Sequence, residues 1–284
     1  MNVIVAESAG FCWGVRRAVE KVRSVAATAT ATVYTDGPLI HNRQMIEQLH
    51  REGIAATDDL SEARGGTLVI RAHGVPPERR RELDALAREL VDATCPDVAR
   101  IQGLIRVHAR KGHDIVIFGD KGHAEVTGLL GYAEGRGHVV GEPADVAGLP
   151  AALDRVCLVS QSTQLPRSYA AIAAALRARF PDATVLDTIC ESTKRRQQDL
   201  EDLAQRVDAL VIVGGGHSAN TLRLVELARS LLPTVHIETA DDIRASDFDG
   251  CTTLGVSAGA STPAFVIDEV RSRLEALGSG VDAS

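Results

Sequence analysis

The chain has 284 residues, 45% of them hydrophobic and 24% charged, so it can bury a sizeable core and is neither disordered nor fibrous. Aromatic residues, at 3%, are too few to build a stacking platform for single-stranded nucleic acid, and a net charge of -7 disfavours a general polyanion binder. No apolar run reaches the roughly 18 residues of a membrane span, and the opening MNVIVAESAG lacks the basic flank and apolar stretch of a signal peptide, so a cytoplasmic protein with no nucleic-acid or membrane partner is expected.

Short apolar runs at residues 3–5, 67–70, 90–91, 114–118, 156–159, 184–186, 209–213 and 252–256 read as strands. Between them, stretches such as 78–88, 169–179 and 221–232 carry apolar residues at three- and four-residue spacing and read as amphipathic covering helices. That alternation predicts an α/β fold with mainly parallel strands.

The five cysteines are odd in number and dispersed, which excludes a disulfide framework and leaves free thiols or metal ligands. Cys12, Cys95 and Cys190 each close a strand-like run and open a helical pattern. Each is followed by a histidine just past another strand: His41 after 29 residues, His123 after 28 and His217 after 27. A further helix and strand lead to His73, to Ser162 and Thr163, and to Ser261, after which a proline opens the next helix. The repeat predicts three pseudo-symmetric lobes around a central site, at 13–95, 96–190 and 191–284, the last completed by strand 1–12. In parallel sheets, ligands bind beyond the carboxyl ends of the strands, where all of these residues are expected to converge.

Cys157 and Cys251 fit the usual role of a lone cysteine as a small buried hydrophobe. The repeated trio sits at turns instead. With no CxxC pair it does not resemble a structural zinc site, although zinc completed by a histidine is an alternative. Three thiolates suit a cubane iron-sulfur cluster with one iron left open for substrate, and the helix starts beside them would lower their thiol pKa.

His41, His73 and His123 lie in polar or small-residue turns that a diphosphate could approach, with Ser218, Asn220 and Ser261 as neutral donors. Glu125, two residues after His123, is either a helix-start carboxylate or a buried acid that relays protons. A competing motif is Gly214, Gly216 and Ala219 after an apolar strand, with Glu238 ending the next strand. It approximates a dinucleotide-binding fingerprint and implies an NAD-dependent oxidoreductase, but it explains neither the cysteines nor the histidine spacing. Arg16, Arg17, Lys194, Arg195 and Arg196 read as solvated helix faces, with docking of an acidic electron donor as the alternative.

The segments GFCWGVRRA, GPLIHN, AHGV, DATCP, GHAEV, SQST, TIC, SANTLRL and SAGAST occur in that order from Gly10 to Thr262. In them the chain resembles the 4-hydroxy-3-methylbut-2-enyl diphosphate reductases of the non-mevalonate isoprenoid route. The resemblance implies one 4Fe-4S cluster per chain, held by Cys12, Cys95 and Cys190. It implies reductive loss of the allylic hydroxyl to give isopentenyl and dimethylallyl diphosphate, with electrons from a protein such as ferredoxin or flavodoxin. His41, His73, Ser218, Asn220 and Ser261 would hold the diphosphate, His123 would bridge towards Glu125, and Glu125 would deliver the proton beside Ser162 and Thr163. Ser162, Ala124, Ala219 and His217 depart from the family's usual threonine, proline, serine and asparagine. Ala219 leaves one fewer donor for the diphosphate. A paralogue acting on a related allylic diphosphate, or a diphosphate-binding protein without turnover, would share much of this pattern.

Overall fold

A computed structural model of the protein describes residues 1–277; residues 278–284 of the expected third lobe lie outside the described residues. The chain runs β1 (Asn2–Val5), α1 (Trp13–Ala26), β2 (Val33–Asp36), α2 (Arg43–Arg51), β3 (Ile54–Thr57), β4 (Thr67–Ile70), α3 (Pro77–Leu86) and β5 (Glu89–Asp92). It continues through α4 (Pro96–Arg110), β6 (Asp114–Phe118), α5 (Ala124–Leu130), β7 (Gly137–Val140), β8 (Val156–Ser160), α6 (Pro166–Arg179) and β9 (Thr184–Val185). It ends with α7 (Glu191–Ala204), β10 (Ala209–Val213), α8 (Ala219–Arg229), β11 (Thr234–Ile237), β12 (Thr253–Ala258) and α9 (Ala264–Leu277). None of the helices in the described residues is long and apolar enough to cross a membrane.

Two compact units account for the described residues. The terminal unit comprises Met1–Arg16, His41–Gln48 and the described residues from Glu191 onward; the central unit comprises Arg17–Ile40 and Leu49–Cys190.

The terminal unit holds one four-stranded sheet in the order β11-β10-β12-β1, all pairs parallel. The chain's first strand therefore completes a sheet made otherwise from its last third. The ALVIV run of β10 is buried throughout, because helices cover both faces and a parallel sheet so placed needs continuous rather than alternating apolar residues. Two apolar cores flank it. Val211, Val213, Val256, Val266 and Val270 pack on one face, and Leu200, Leu203, Leu210, Ile212 and Leu224 on the other. Each such side chain, fully buried, contributes about 1.5–3 kcal/mol.

The central unit holds two more parallel sheets, β3-β2-β4-β5 and β7-β6-β8-β9. In both of these sheets the strand order is second, first, third, fourth, and the terminal sheet has the same order when β1 is counted as its fourth strand. The α/β class and the small parallel sheets are as the sequence predicts. The apolar runs pass over β2, β3, β7 and β11. Of these, β3, β7 and β11 are edge strands, and their sequences IAAT, GHVV and TVHI lack a long continuous apolar run.

Candidate active site

The three cysteines of the repeat occupy equivalent places in the backbone. Each directly precedes a helix: Cys12 before α1, Cys95 before α4 and Cys190 before α7. Each donates its own N–H to the carbonyl of a loop that leaves a neighbouring strand, Cys12 to Ala260 at 3.1 Å, Cys95 to Ala72 at 2.9 Å and Cys190 to Ser162 at 3.0 Å. The accepting residue in each case directly precedes a residue singled out in the sequence, namely Ser261, His73 and Thr163. All three are half-buried, and none is in a disulfide. Cys157 differs: it is fully buried in an apolar core, and desolvation pushes its thiol up to about 12, as a packing residue requires.

In the central unit, Glu125 sits in the first turn of α5, only 2% exposed. Ser162 donates its N–H to Glu125 Oε1 at 2.7 Å and its hydroxyl to Oε2 at 2.8 Å. Burial pushes the carboxyl up to about 7; the two Ser162 bonds oppose that shift, while Asp120 and Asp97 add to it. Ser162 thus links the acid to a cysteine, since its carbonyl receives the Cys190 N–H. His123 caps α5, its Nδ1 accepting the Glu125 N–H at 3.1 Å. That bond leaves the proton of a neutral ring on Nε2. The His73 ring meets His123 edge to face, with centroids 5.6 Å apart. The central unit therefore gathers His73, His123, Glu125 and Ser162, with Thr163 beside them in the chain.

In the terminal unit, His41 lies just before Asn42, which caps α2 by accepting the Met45 N–H at 2.8 Å. Ser261 donates its hydroxyl to the His41 carbonyl at 3.0 Å and lies 3.4 Å from Ser218 Oγ. Ser218 caps α8 by accepting the Thr221 N–H at 3.4 Å, and Asn220 follows in the first turn with Nδ2 buried and unpartnered. A buried amide donor without an acceptor is costly in a finished core and suits a site that receives an anion.

Three further residues hold these segments in place; the sequence reading missed Gln161 and Thr188 and gave Arg196 another role. Gln161 is fully buried; its Oε1 accepts the Asp120 N–H at 3.0 Å and its Nε2 donates to Thr163 Oγ1 at 3.2 Å. Thr188 binds both the N–H and the carbonyl of Ser160, fixing the end of β8 beside the run that leads to Cys190. Arg196 is 2% exposed and donates to backbone carbonyls, which corrects its reading as a solvated helix face; Arg16 and Arg195 are exposed as that reading expects. Arg17 is half-buried and reaches the Thr94 carbonyl at 3.3 Å.

The glycine loop after β10 departs from a dinucleotide site. Its Gly216 N–H, which a pyrophosphate would need, donates to Glu238 Oε1 at 2.7 Å. Gly214, at φ +147, is required because a side chain there would press on the hydroxyls of Thr221 and Thr262. Packing and an internal carboxylate account for the motif that suggested NAD.

Comparison with known proteins bears on the whole chain. A family model described as LytB protein matches residues 3–275. The 4-hydroxy-3-methylbut-2-enyl diphosphate reductase of Opitutus terrae is 51% identical over 98% of this chain and 100% of its own length. That of Citrifermentans bemidjiense is 43% identical over 98% of both. A solved (E)-4-hydroxy-3-methyl-but-2-enyl diphosphate reductase, described as the terminal enzyme of the non-mevalonate pathway, is similar at a TM-score of 0.73 and 37% identity, over 97% of this chain and 100% of that one. The Plasmodium falciparum E-1-hydroxy-2-methyl-but-2-enyl-4-diphosphate reductase is similar at a TM-score of 0.90 and 27% identity, over 97% of this chain and 87% of that one.

Proposed function

This chain belongs to the LytB protein family, and from that premise we propose that it reduces (E)-4-hydroxy-3-methylbut-2-enyl diphosphate to isopentenyl and dimethylallyl diphosphate, releasing water at the cost of two electrons and two protons. The observation that carries the chemistry is Glu125: a carboxyl buried to 2% exposure, pushed up to about 7 and oriented by two bonds from Ser162 is a proton donor held ready at neutral pH.

A 4Fe-4S cluster fits the donor set. Cys12, Cys95 and Cys190 are half-buried and outside any disulfide, each at the head of a helix and each tethered by the same backbone bond. Three soft sulfur ligands suit iron-sulfur chemistry and leave one iron without a protein ligand. When bound, such a cluster supplies electrons and a Lewis-acidic open iron.

The chain's own residues do the rest. His41, His73, Ser218, Asn220 and Ser261 bind the diphosphate, and Asn220 Nδ2 is already a buried donor awaiting an acceptor. His123, holding its proton on Nε2, bridges the anion and the acid. Glu125 gives its proton to the departing hydroxyl oxygen, with Ser162 and Thr163 orienting that end of the substrate. The lobes 13–95, 96–190 and 191–284 with strand 1–12, an electron donor such as ferredoxin or flavodoxin, and a cytoplasmic location belong to the same reading.

Anaerobic purification tests it: brown protein with about four irons and four sulfides per chain, turning over the substrate with a reduced low-potential mediator, is the expected result. Cys95→Ser should lose the cluster and Cys157→Ser should keep it. Colourless, iron-free wild-type protein that leaves the substrate unchanged after reconstitution would refute the assignment.

A further inference from the structure

Between the end of β1 and the start of α1 the chain makes a turn, residues 6–12, that delivers Cys12. Its backbone groups are tied down one after another within the terminal unit. Ala6 N–H donates to Val256 O at 2.8 Å, Ala9 N–H to Ala6 O at 3.0 Å and Cys12 N–H to Ala260 O at 3.1 Å. Gly10 has φ +102, and a side chain there would meet Ile267 Cδ1 and the Thr262 carbonyl.

The turn's carbonyls are held by one side chain. Arg196 Nη1 donates to Ser8 O and, at 2.8 Å, to Ala258 O; Nη2 donates to Gly10 O at 2.9 Å. Three residues on along α7, Asp199 accepts the Ser8 N–H at 2.8 Å and the Ser8 hydroxyl at 2.6 Å. A planar guanidinium can serve three carbonyls on two chain segments at once, whereas an ammonium on a flexible stem is a point donor. The central unit uses a related device at Cys95: Arg17 donates to Thr94 O at 3.3 Å and Lys21 Nζ to Asp92 O at 2.8 Å.

We propose that Arg196 is a positioning residue that, with Asp199, pre-forms the turn presenting the Cys12 thiol, so that the chain does not have to order this ligand when the metal group is inserted. The inference deepens the cluster assignment and rests on it for its purpose, but not for its geometry.

The test uses the full chain as wild type, Arg196→Met and Arg196→Lys. In metal-free, reduced protein, the rate of alkylation by iodoacetamide is read at each cysteine by peptide mass spectrometry. Arg196→Met is expected to raise the Cys12 rate by about tenfold through local opening, leaving Cys95, Cys190 and buried Cys157 unchanged. Arg196→Lys is expected to fall between, since it keeps the charge and loses the fork. After anaerobic reconstitution, iron should pass to a ferrous chelator faster from both variants than from wild type. An unchanged Cys12 rate, or an equal rise at all five cysteines, would overturn the proposal. Should Arg196→Met not fold, Arg196→Lys and Asp199→Asn carry the same comparison. Wild-type protein that takes up no iron would refute the cluster reading, while the alkylation pattern would still decide what Arg196 does.

Discussion

Glu125 and Ser162, 37 residues apart in the chain, are joined by two hydrogen bonds in which the serine's N–H and hydroxyl each engage one oxygen of the buried carboxyl. The pair fixes the direction of both carboxyl oxygens, leaving the carboxyl little freedom except to gain or lose a proton. Glu125→Gln keeps the shape and the acceptor oxygen but has no proton to give. Its turnover should fall by about two orders of magnitude or more with cluster content unchanged. Single-turnover product formation, measured beside iron content, checks this, and near-normal turnover would remove Glu125 from the proton path.

The same carboxyl makes stability depend on pH. Its pKa is pushed from 4.5 to about 7 in the folded chain, chiefly by burial. The folded state therefore keeps a proton that the unfolded state releases above pH 4.5. The associated stability is fully present below pH 4.5 and is lost as pH rises through 7, about 3 kcal/mol in all. Urea denaturation from pH 5 to 8 should show wild type losing stability relative to Glu125→Gln. A constant difference across that range would contradict the raised pKa.

Ser162 offers a finer test, because its bonds to Glu125 lower the pKa that burial raises. Ser162→Ala removes the hydroxyl bond, so the alkaline limb of the pH–rate profile should move to higher pH while the maximal rate falls by about tenfold. Ser162→Thr restores the hydroxyl, and its profile should overlay the wild type's. An unshifted limb in Ser162→Ala would mean that the limb reports another group.

Glu238 decides the fate of the glycine loop. With its carboxylate on the Gly216 N–H, the wild type should show no heat of binding with NAD or NADH by titration calorimetry. Glu238→Ala frees that N–H and should lower stability by about 1–2 kcal/mol, without creating a dinucleotide site. Micromolar NAD binding by the wild type would reinstate the oxidoreductase reading that the loop suggests.

Much of this arrangement was legible in the sequence because it is local. A cysteine that ends a strand and opens a helix can be recognised from a dozen residues, whereas the backbone bonds from Cys12, Cys95 and Cys190 to Ala260, Ala72 and Ser162 follow only from the folded chain. What was not legible depends on distant partners. Arg196 meets carbonyls 186 and 188 residues away, and a basic residue in a polar helix looks the same whether it faces water or a turn. Gln161 lay within the SQST segment, but only burial distinguishes it from a surface amide. The strands outside the apolar runs, β2, β3, β7 and β11, are short and interrupted by small or polar residues, so that sheet pairing rather than local propensity makes them strands.

Gly74 follows His73 in a tight turn closed by its own N–H on the Arg71 carbonyl at 3.0 Å. Its φ is +69, and a side chain there would strike the Gln102 amide and press on Thr94 Cγ2 at 3.1 Å. Gly112 has a similar φ of +83, but a side chain there would meet nothing within 4 Å. Alanine at Gly112 should therefore cost only the left-handed backbone penalty of about 1–2 kcal/mol. At Gly74 the collision adds to that penalty, for a total of about 2–4 kcal/mol by urea denaturation. Because the collision also displaces the turn that carries His73, Gly74→Ala should raise KM for the diphosphate substrate more than it lowers kcat, whereas Gly112→Ala should change neither. Equal stability losses in the two variants would show that Gln102 moves aside, and an unchanged KM in Gly74→Ala would separate His73 from diphosphate binding.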